Sequence, residues 1–183
     1  MTLMHTPKVQ TSWQATDFEL KGVDGKTYTL ADIKGENGTV VMFICNHCPY
    51  VKGIMDRLPQ VMEKLQEDGV GVVAIMSNDV SEYPEDSFEN MKLFAEENNF
   101  TFPYVIDETQ EVARAYDAIC TPDFFGFDKG LELKYRGRLD SNNQNPIDED
   151  TDLELLNAMI EVAETGGTVA TQAPSMGCSI KWK

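Results

Sequence analysis

Basic residues are scarce in this chain. Its 183 residues hold 15 lysines and arginines against 31 aspartates and glutamates, a formal net charge of −16. That balance excludes nucleic acid and anionic membrane surfaces as partners, because both repel surplus carboxylate. No window approaches the roughly 20 apolar residues of a membrane span. The opening residues 1–8 have neither the basic start nor the apolar core of a secretory signal, so a cytoplasmic location is expected. No internal repeat or low-complexity tract is present, which excludes repeat architectures. Histidine is reduced to His5 and His47, and cysteine to Cys45, Cys48, Cys120 and Cys178. Four cysteines in a reducing compartment serve catalysis or metal binding more often than structure. The remaining composition, 42% hydrophobic and 25% charged, is that of one globular domain with a proper core.

The chemistry concentrates in Cys45-Asn46-His47-Cys48-Pro49. Two thiols sit two residues apart, directly after the apolar run at 39–44. Beyond them Val51, Ile54, Met55, Leu58, Val61, Met62 and Leu65 keep helical spacing. A strand that runs into CxxC at a helix start is the layout of a dithiol redox site. The positive end of a helix stabilises a thiolate, the reactive form of cysteine. A pair of inert core cysteines would need neither the polar Asn-His insert nor the strand-to-helix junction.

Around this motif the elements alternate. Short strands are expected at 17–20 and 26–30 about an Asp24-Gly25 turn, then a helical turn at 30–33. The strand at 39–44 leads to a helix over 49–67, closed by Gly69, and to a second buried strand at 70–76. A helix starts near Pro84-Glu85-Asp86 and runs to about Asn98. A strand at 103–106, a short helix at 109–116, strands at 123–127 and 131–135, and a last helix ended by Gly166-Gly167 complete the chain. This order implies an α/β fold: a central mixed sheet flanked by helices, with an N-terminal β-hairpin extension. The expected organisation is an N-terminal arm at 1–16, a main domain at 17–166, and a tail at 167–183 packed back on the domain.

Phe18-Glu19-Leu20, Asp24-Gly25-Lys26, the CxxC after an apolar strand, and Thr121-Pro122-Asp123-Phe124-Phe125 together resemble the thioredoxin-like redoxins, in their AhpC/TSA and TlpA-type branch. Cys-Asn-His-Cys-Pro-Tyr and the ending at 174–183 are similar to a little-characterised, peroxiredoxin-like group within that superfamily. The resemblance implies a thioredoxin-like fold with Cys45 as exposed nucleophile, Cys48 as resolving thiol and Pro122 as a cis-proline facing both. It also shows departures. Ile44 stands where thioredoxins carry Trp before the first cysteine. Where thioredoxins carry a buried acid beneath the second cysteine, the stretch before the motif offers only Thr39. Met42 occupies the place of the peroxidatic threonine, with Arg136 or Arg138 as the available cation. Disulfide exchange therefore ranks above peroxide reduction.

His47, inside the motif, is expected to favour the Cys45 thiolate and lower its pKa below the free value of about 8.5. Cys120 and Cys178 are candidate additional redox residues, as a pair of their own or as a tail thiol that resolves a mixed disulfide. Cys45, Cys48, Cys120 and Cys178 around a soft metal ion form the alternative. Ile180 and Trp182 are expected to anchor the tail. The expected function is thus thiol–disulfide oxidoreduction by Cys45 and Cys48 through a mixed disulfide, without an organic cofactor or resident metal. Its partners would be protein or small-molecule disulfides and thiols, with an electron donor the sequence does not name. A thiol peroxidase and a metal-delivery protein are the alternatives.

Overall fold

The computed structural model describes residues 2–7 and 13–183, so part of the expected arm at 1–16 lies outside the described residues. In chain order the elements are β1 (Leu3–His5), β2 (Glu19–Gly22), β3 (Thr27–Thr29), α1 (Leu30–Ile33), β4 (Gly38–Phe43), α2 (Pro49–Lys52), α3 (Leu58–Glu67) and β5 (Val70–Met76). A 3-10 turn at Pro84–Asp86 precedes α4 (Phe88–Glu97), β6 (Tyr104–Ile106), α5 (Glu111–Ala115), β7 (Cys120–Thr121), β8 (Asp123–Phe127), β9 (Leu133–Gly137), α6 (Glu154–Thr165) and β10 (Met176–Ser179).

Seven strands form the main sheet in the order β3-β2-β6-β5-β4-β8-β9. β4, β5 and β6 are parallel, and β8 runs antiparallel to β4. The sheet is mixed and carries the expected N-terminal hairpin on its edge, where Asp24 and Gly25 turn the chain with Gly25 at φ +84°. β4 is buried throughout because both its faces are covered. Val40, Met42 and Ile44 point into a core closed by Leu58, Met62 and Leu65 of α3 and by Leu155 and Met159 of α6. Val41 and Phe43 point the other way, onto Leu30 and Ile33 of α1 and Ala113 of α5.

The expected helix over 49–67 is two helices, α2 and α3, separated by a turn at 53–57. Pro59 explains the break. It removes a backbone donor, its ring crowds the carbonyl four residues back, and it sits in the first turn of α3, where neither matters. Arg57 fills the joint: its guanidinium is buried against Asp140 at 2.6 Å and caps the Gly53 carbonyl at 2.9 Å. The strand expected at 131–135 lies at Leu133–Gly137 instead. A bulge at Gly126/Phe127 and the left-handed Leu131 at φ +64° absorb the intervening residues.

A second sheet was not expected. β1, β10 and β7 pair antiparallel in that order, with Leu3 opposite Cys178 and Cys178 opposite Thr121. His5 is therefore part of a strand. The tail crosses the molecule as a strap directly over the Thr121-Pro122 loop.

Candidate active site

Cys45 leaves the end of β4, and Cys48 is the N-cap of α2 with Pro49 in the first helical turn. The bond between Thr121 and Pro122 is cis, and the loop that carries it faces both thiols. Cys45 Sγ lies 3.5 Å from Thr121 Oγ1 and 3.9 Å from His47 Nδ1. Cys48 Sγ lies 3.2 Å from the Thr121 carbonyl oxygen and 2.9 Å from Cys178 Sγ. The structure thus gathers Cys45, His47, Cys48, Pro122 and Cys178 in one place. All four cysteines are present as thiols.

Cys120 stands apart from this cluster. Its Sγ turns toward the Pro122 carbonyl oxygen at 3.8 Å, and in the β10–β7 ladder it lies opposite Ser179, not Cys178. The Cys120–Cys178 pairing is corrected accordingly: the tail thiol meets Cys48. Neighbouring residues of a strand project to opposite faces, which is why Thr121 and Cys120 cannot both look at the motif. The four-thiolate metal site fails for the same reason. Among the described residues, the ligand atoms that lie within 4.8 Å of one another are those of Cys45, His47 and Asp86.

Asp86 is the residue that sequence reasoning missed. It comes from the 3-10 turn after β5, is fully buried, and takes four hydrogen bonds. Oδ1 accepts from the backbone N–H of Asn46 at 2.8 Å and of His47 at 3.2 Å. Oδ2 accepts from Asn78 Nδ2 at 2.8 Å and from His47 Nδ1 at 2.6 Å. Tyr104 OH holds Asn46 Oδ1 at 2.9 Å, and Tyr83 stacks on the His47 ring at a centroid distance of 5.5 Å. The carboxylate therefore fixes the Asn46-His47 insert from beside Cys45, within 4.8 Å of its ligand atom. The only signal was Pro84-Glu85-Asp86 as a helix start, which says nothing of long-range contact. With its lone pairs already committed to N–H donors, Asp86 is built as a hydrogen-bond hub. The Cys45, His47 and Asp86 convergence is explained without a metal.

Electrostatically the pair reverses the expected order. Cys45 is not exposed; its relative exposure is 1%, and that of Cys48 is 0%. The Cys45 thiol is pushed well up because it donates to Cys48, is buried, and faces the Asp86 carboxylate. The Cys48 thiol is lowered to about 5, chiefly because Cys45 donates to it; burial opposes this, and a hydrogen bond with Cys178 assists. Cys178 is raised to about 12 by burial and by its bond to Cys48. The three sulfurs share protons and titrate together, with the negative charge on the central one. His47 turns its Nδ1 to Asp86 Oδ2 at 2.6 Å, nearer than Cys45 Sγ at 3.9 Å. A carboxylate only accepts, so the Nδ1 proton is directed to Asp86. Its Nε2 is buried without a hydrogen-bond partner.

Neither arginine proposed for an oxyanion reaches the thiols. Arg136 is paired with Asp123 at 3.0 Å, and Arg138 with both oxygens of Glu154 at 2.6 and 3.0 Å. Thr121 brings a hydroxyl to 3.5 Å from Cys45 Sγ.

Comparison with known proteins agrees with the fold. The AhpC/TSA family model matches residues 12–136, and the chain belongs to that family, as a thioredoxin-like redoxin. A thiol-disulfide oxidoreductase ResA of Geobacillus kaustophilus (strain HTA426) is 32% identical over 120 residues, covering 66% of this chain and 64% of that protein. The chain thus spans just under two thirds of the length of the ResA relatives it matches. The crystal structure of an uncharacterized conserved protein from Geobacillus kaustophilus superposes with a TM-score of 0.94 at 46% identity, covering 100% of this chain and 97% of that one. The thioredoxin domain of a thiol-disulfide oxidoreductase from Bacteroides vulgatus gives a TM-score of 0.57 at 17% identity over 69% of this chain and 86% of that one, a likeness of fold.

Proposed function

We propose that this chain is a thiol–disulfide oxidoreductase whose Cys45–Cys48 pair cycles between dithiol and disulfide. The observation that carries the reading is the meeting of both thiols with the cis Thr121-Pro122 loop, at 3.5 Å for Cys45 and 3.2 Å for Cys48. The family and the ResA relatives support it.

The reaction starts when the proton between the two sulfurs passes from Cys45 to Cys48. The Cys45 thiolate attacks one sulfur of a substrate disulfide, forms a mixed disulfide and expels the other sulfur as a thiolate. Cys48 then loses its proton to solvent or to that leaving thiolate and attacks Cys45. The Cys45–Cys48 bond forms, the mixed disulfide breaks, and the substrate leaves with both sulfurs reduced. Run backwards, the same steps oxidise a substrate dithiol. The lowered pKa of Cys48 stabilises the reduced pair, which makes the disulfide the better oxidant and favours the backward direction. Asp86 acts as a positioning residue: it holds the Asn46-His47 backbone so that both sulfurs face the Thr121 loop.

Protein or small-molecule thiols and disulfides are the partners of this reading. Peroxide reduction is the second reading, favoured by the Thr121 hydroxyl beside Cys45 and opposed by the pairing of Arg136 and Arg138 with carboxylates. The test is exchange between the reduced protein and a small aromatic disulfide, followed by mass spectrometry. Loss of turnover in both Cys45→Ser and Cys48→Ser supports the reading; full turnover in either variant overturns it.

A further inference from the structure

The strap places a third sulfur on the site. Cys178 Sγ stands 2.9 Å from Cys48 Sγ, with Cys178 3% exposed. Its position is fixed from both sides. Ahead of it, Ser175 Oγ donates to Asp123 Oδ1 at 3.0 Å, and the Ser175 N–H donates to Thr6 Oγ1 at 2.9 Å. Behind it, Ile180 N–H donates to the Ile119 carbonyl at 3.0 Å. Lys181 N–H donates to Asn78 Oδ1 at 2.8 Å, and Gln110 Nε2 donates to the Lys181 carbonyl at 2.8 Å. Gly177 packs so closely that an added Cβ would overlap the Thr121 carbonyl oxygen. A tail held only for packing needs no thiol at the one point where it meets Cys48.

We propose that Cys178 is a third redox residue, and that Cys48 exchanges its disulfide partner between Cys45 and Cys178. From the oxidised Cys45–Cys48 pair, the Cys178 thiol gives up its proton and its sulfur attacks Cys48 Sγ. The Cys48–Cys178 bond forms and the Cys45–Cys48 bond breaks. The electron pair goes to Cys45 Sγ, which takes up the proton. No electrons enter or leave, so the step needs no further oxidant. Its product is a strap fastened covalently over the Thr121 backbone, with Cys45 returned to a thiol beside Thr121 and His47. An extended peptide that would pair with Thr121 is then excluded until the latch is reduced, and the Cys45 thiol is left to exchange with small disulfides alone. The inference rests on the dithiol reading above.

The test is disulfide mapping by non-reducing peptide mass spectrometry after equilibration in glutathione buffers of graded potential. It uses the wild-type chain, Cys45→Ser and Cys178→Ser, each checked for its native far-UV spectrum. Both Cys45–Cys48 and Cys48–Cys178 linked peptides are expected in the wild type, the second alone in Cys45→Ser, and the first alone in Cys178→Ser. Absence of the Cys48–Cys178 peptide from both the wild type and a folded Cys45→Ser overturns the inference and leaves the dithiol reading standing. A Cys48–Cys178 peptide in a wild type that never forms Cys45–Cys48 overturns the dithiol reading and the exchange with it.

Discussion

Replacing Gly177 by alanine tests whether the strap is what shields the thiols. The new Cβ would stand 2.6 Å from the Thr121 carbonyl carbon, nearer still to its oxygen, and 3.1 Å from Pro122 N. These are backbone atoms of a loop tied into β8, so the relief must come from the strap. Forcing a methyl into a packed site costs about 1–3 kcal/mol. The strap is held by more than that. Its ladder hydrogen bonds are worth about 1 kcal/mol each, and burial of Ile180 adds roughly 1.5–3 kcal/mol. G177A should therefore fold with its strap in place most of the time but lift it more often. Each 1.4 kcal/mol is a factor of ten, so the open population should rise about five- to 150-fold. Reaction of Cys45 and Cys48 with an aromatic disulfide, read residue by residue through mass-labelled peptides, should rise by the same factor where opening is fast. Gly167→Ala, whose Cβ would meet only the Thr165 hydroxyl at 3.2 Å, serves as the control and should change nothing. An unchanged Cys45 and Cys48 rate in a folded G177A would refute the strap as the barrier.

The remaining predictions concern charge, the hub and the oxidant. Ultraviolet titration of thiolate in the reduced protein should show a midpoint near 5 that disappears in Cys48→Ser and moves up in Cys178→Ala, where one donor is lost; a first midpoint near 8.5 in the wild type would count against the shared-proton arrangement. Because the folded pKa of Cys48 is depressed, its contribution to stability is complete above the unfolded thiol value and is lost as pH falls through about 5. Urea midpoints of the reduced protein should carry a component that drops across that window, and one that Cys48→Ser removes. Asp86→Ala strands the N–H groups of Asn46 and His47 and the amide of Asn78, each costing about 1–3 kcal/mol; a loss under about 1 kcal/mol by chemical denaturation would contradict the hub. In stopped flow, the reduced protein should consume a disulfide faster than hydrogen peroxide at equal concentration, and the reverse order would favour the peroxidase reading.

The main sheet was legible because its strands carry their own signals: the unbroken apolar run at 39–44, the second at 70–76, and the Asp24-Gly25 turn. The single helix over 49–67 was overread. Apolar spacing continued through Pro59, and only the buried Arg57–Asp140 contact shows how the joint is filled. The motif and the cis-proline loop could be paired through a family resemblance, whereas Asp86 could not, since a buried acid reached from 39 residues away leaves no local pattern. The strap was half legible. Ile180 anchors it as expected, at 3% exposure, while Trp182 remains 38% exposed beneath the Arg114 guanidinium. Which sulfur Cys178 would meet depended on strand register, and a shift of one residue would have turned it away from Cys48.

The central claim is a reversible two-electron couple at Cys45 and Cys48. Its most direct test is the equilibrium potential of that pair, measured by mass-detected thiol trapping in glutathione or dithiothreitol buffers at pH 7. A stabilised Cys48 thiolate predicts a two-electron transition more oxidising than thioredoxin's value of about −270 mV, toward the −180 mV of protein disulfide isomerase. A protein in which Cys45 never enters a disulfide at any poise, or whose couple lies below about −270 mV, would contradict the account.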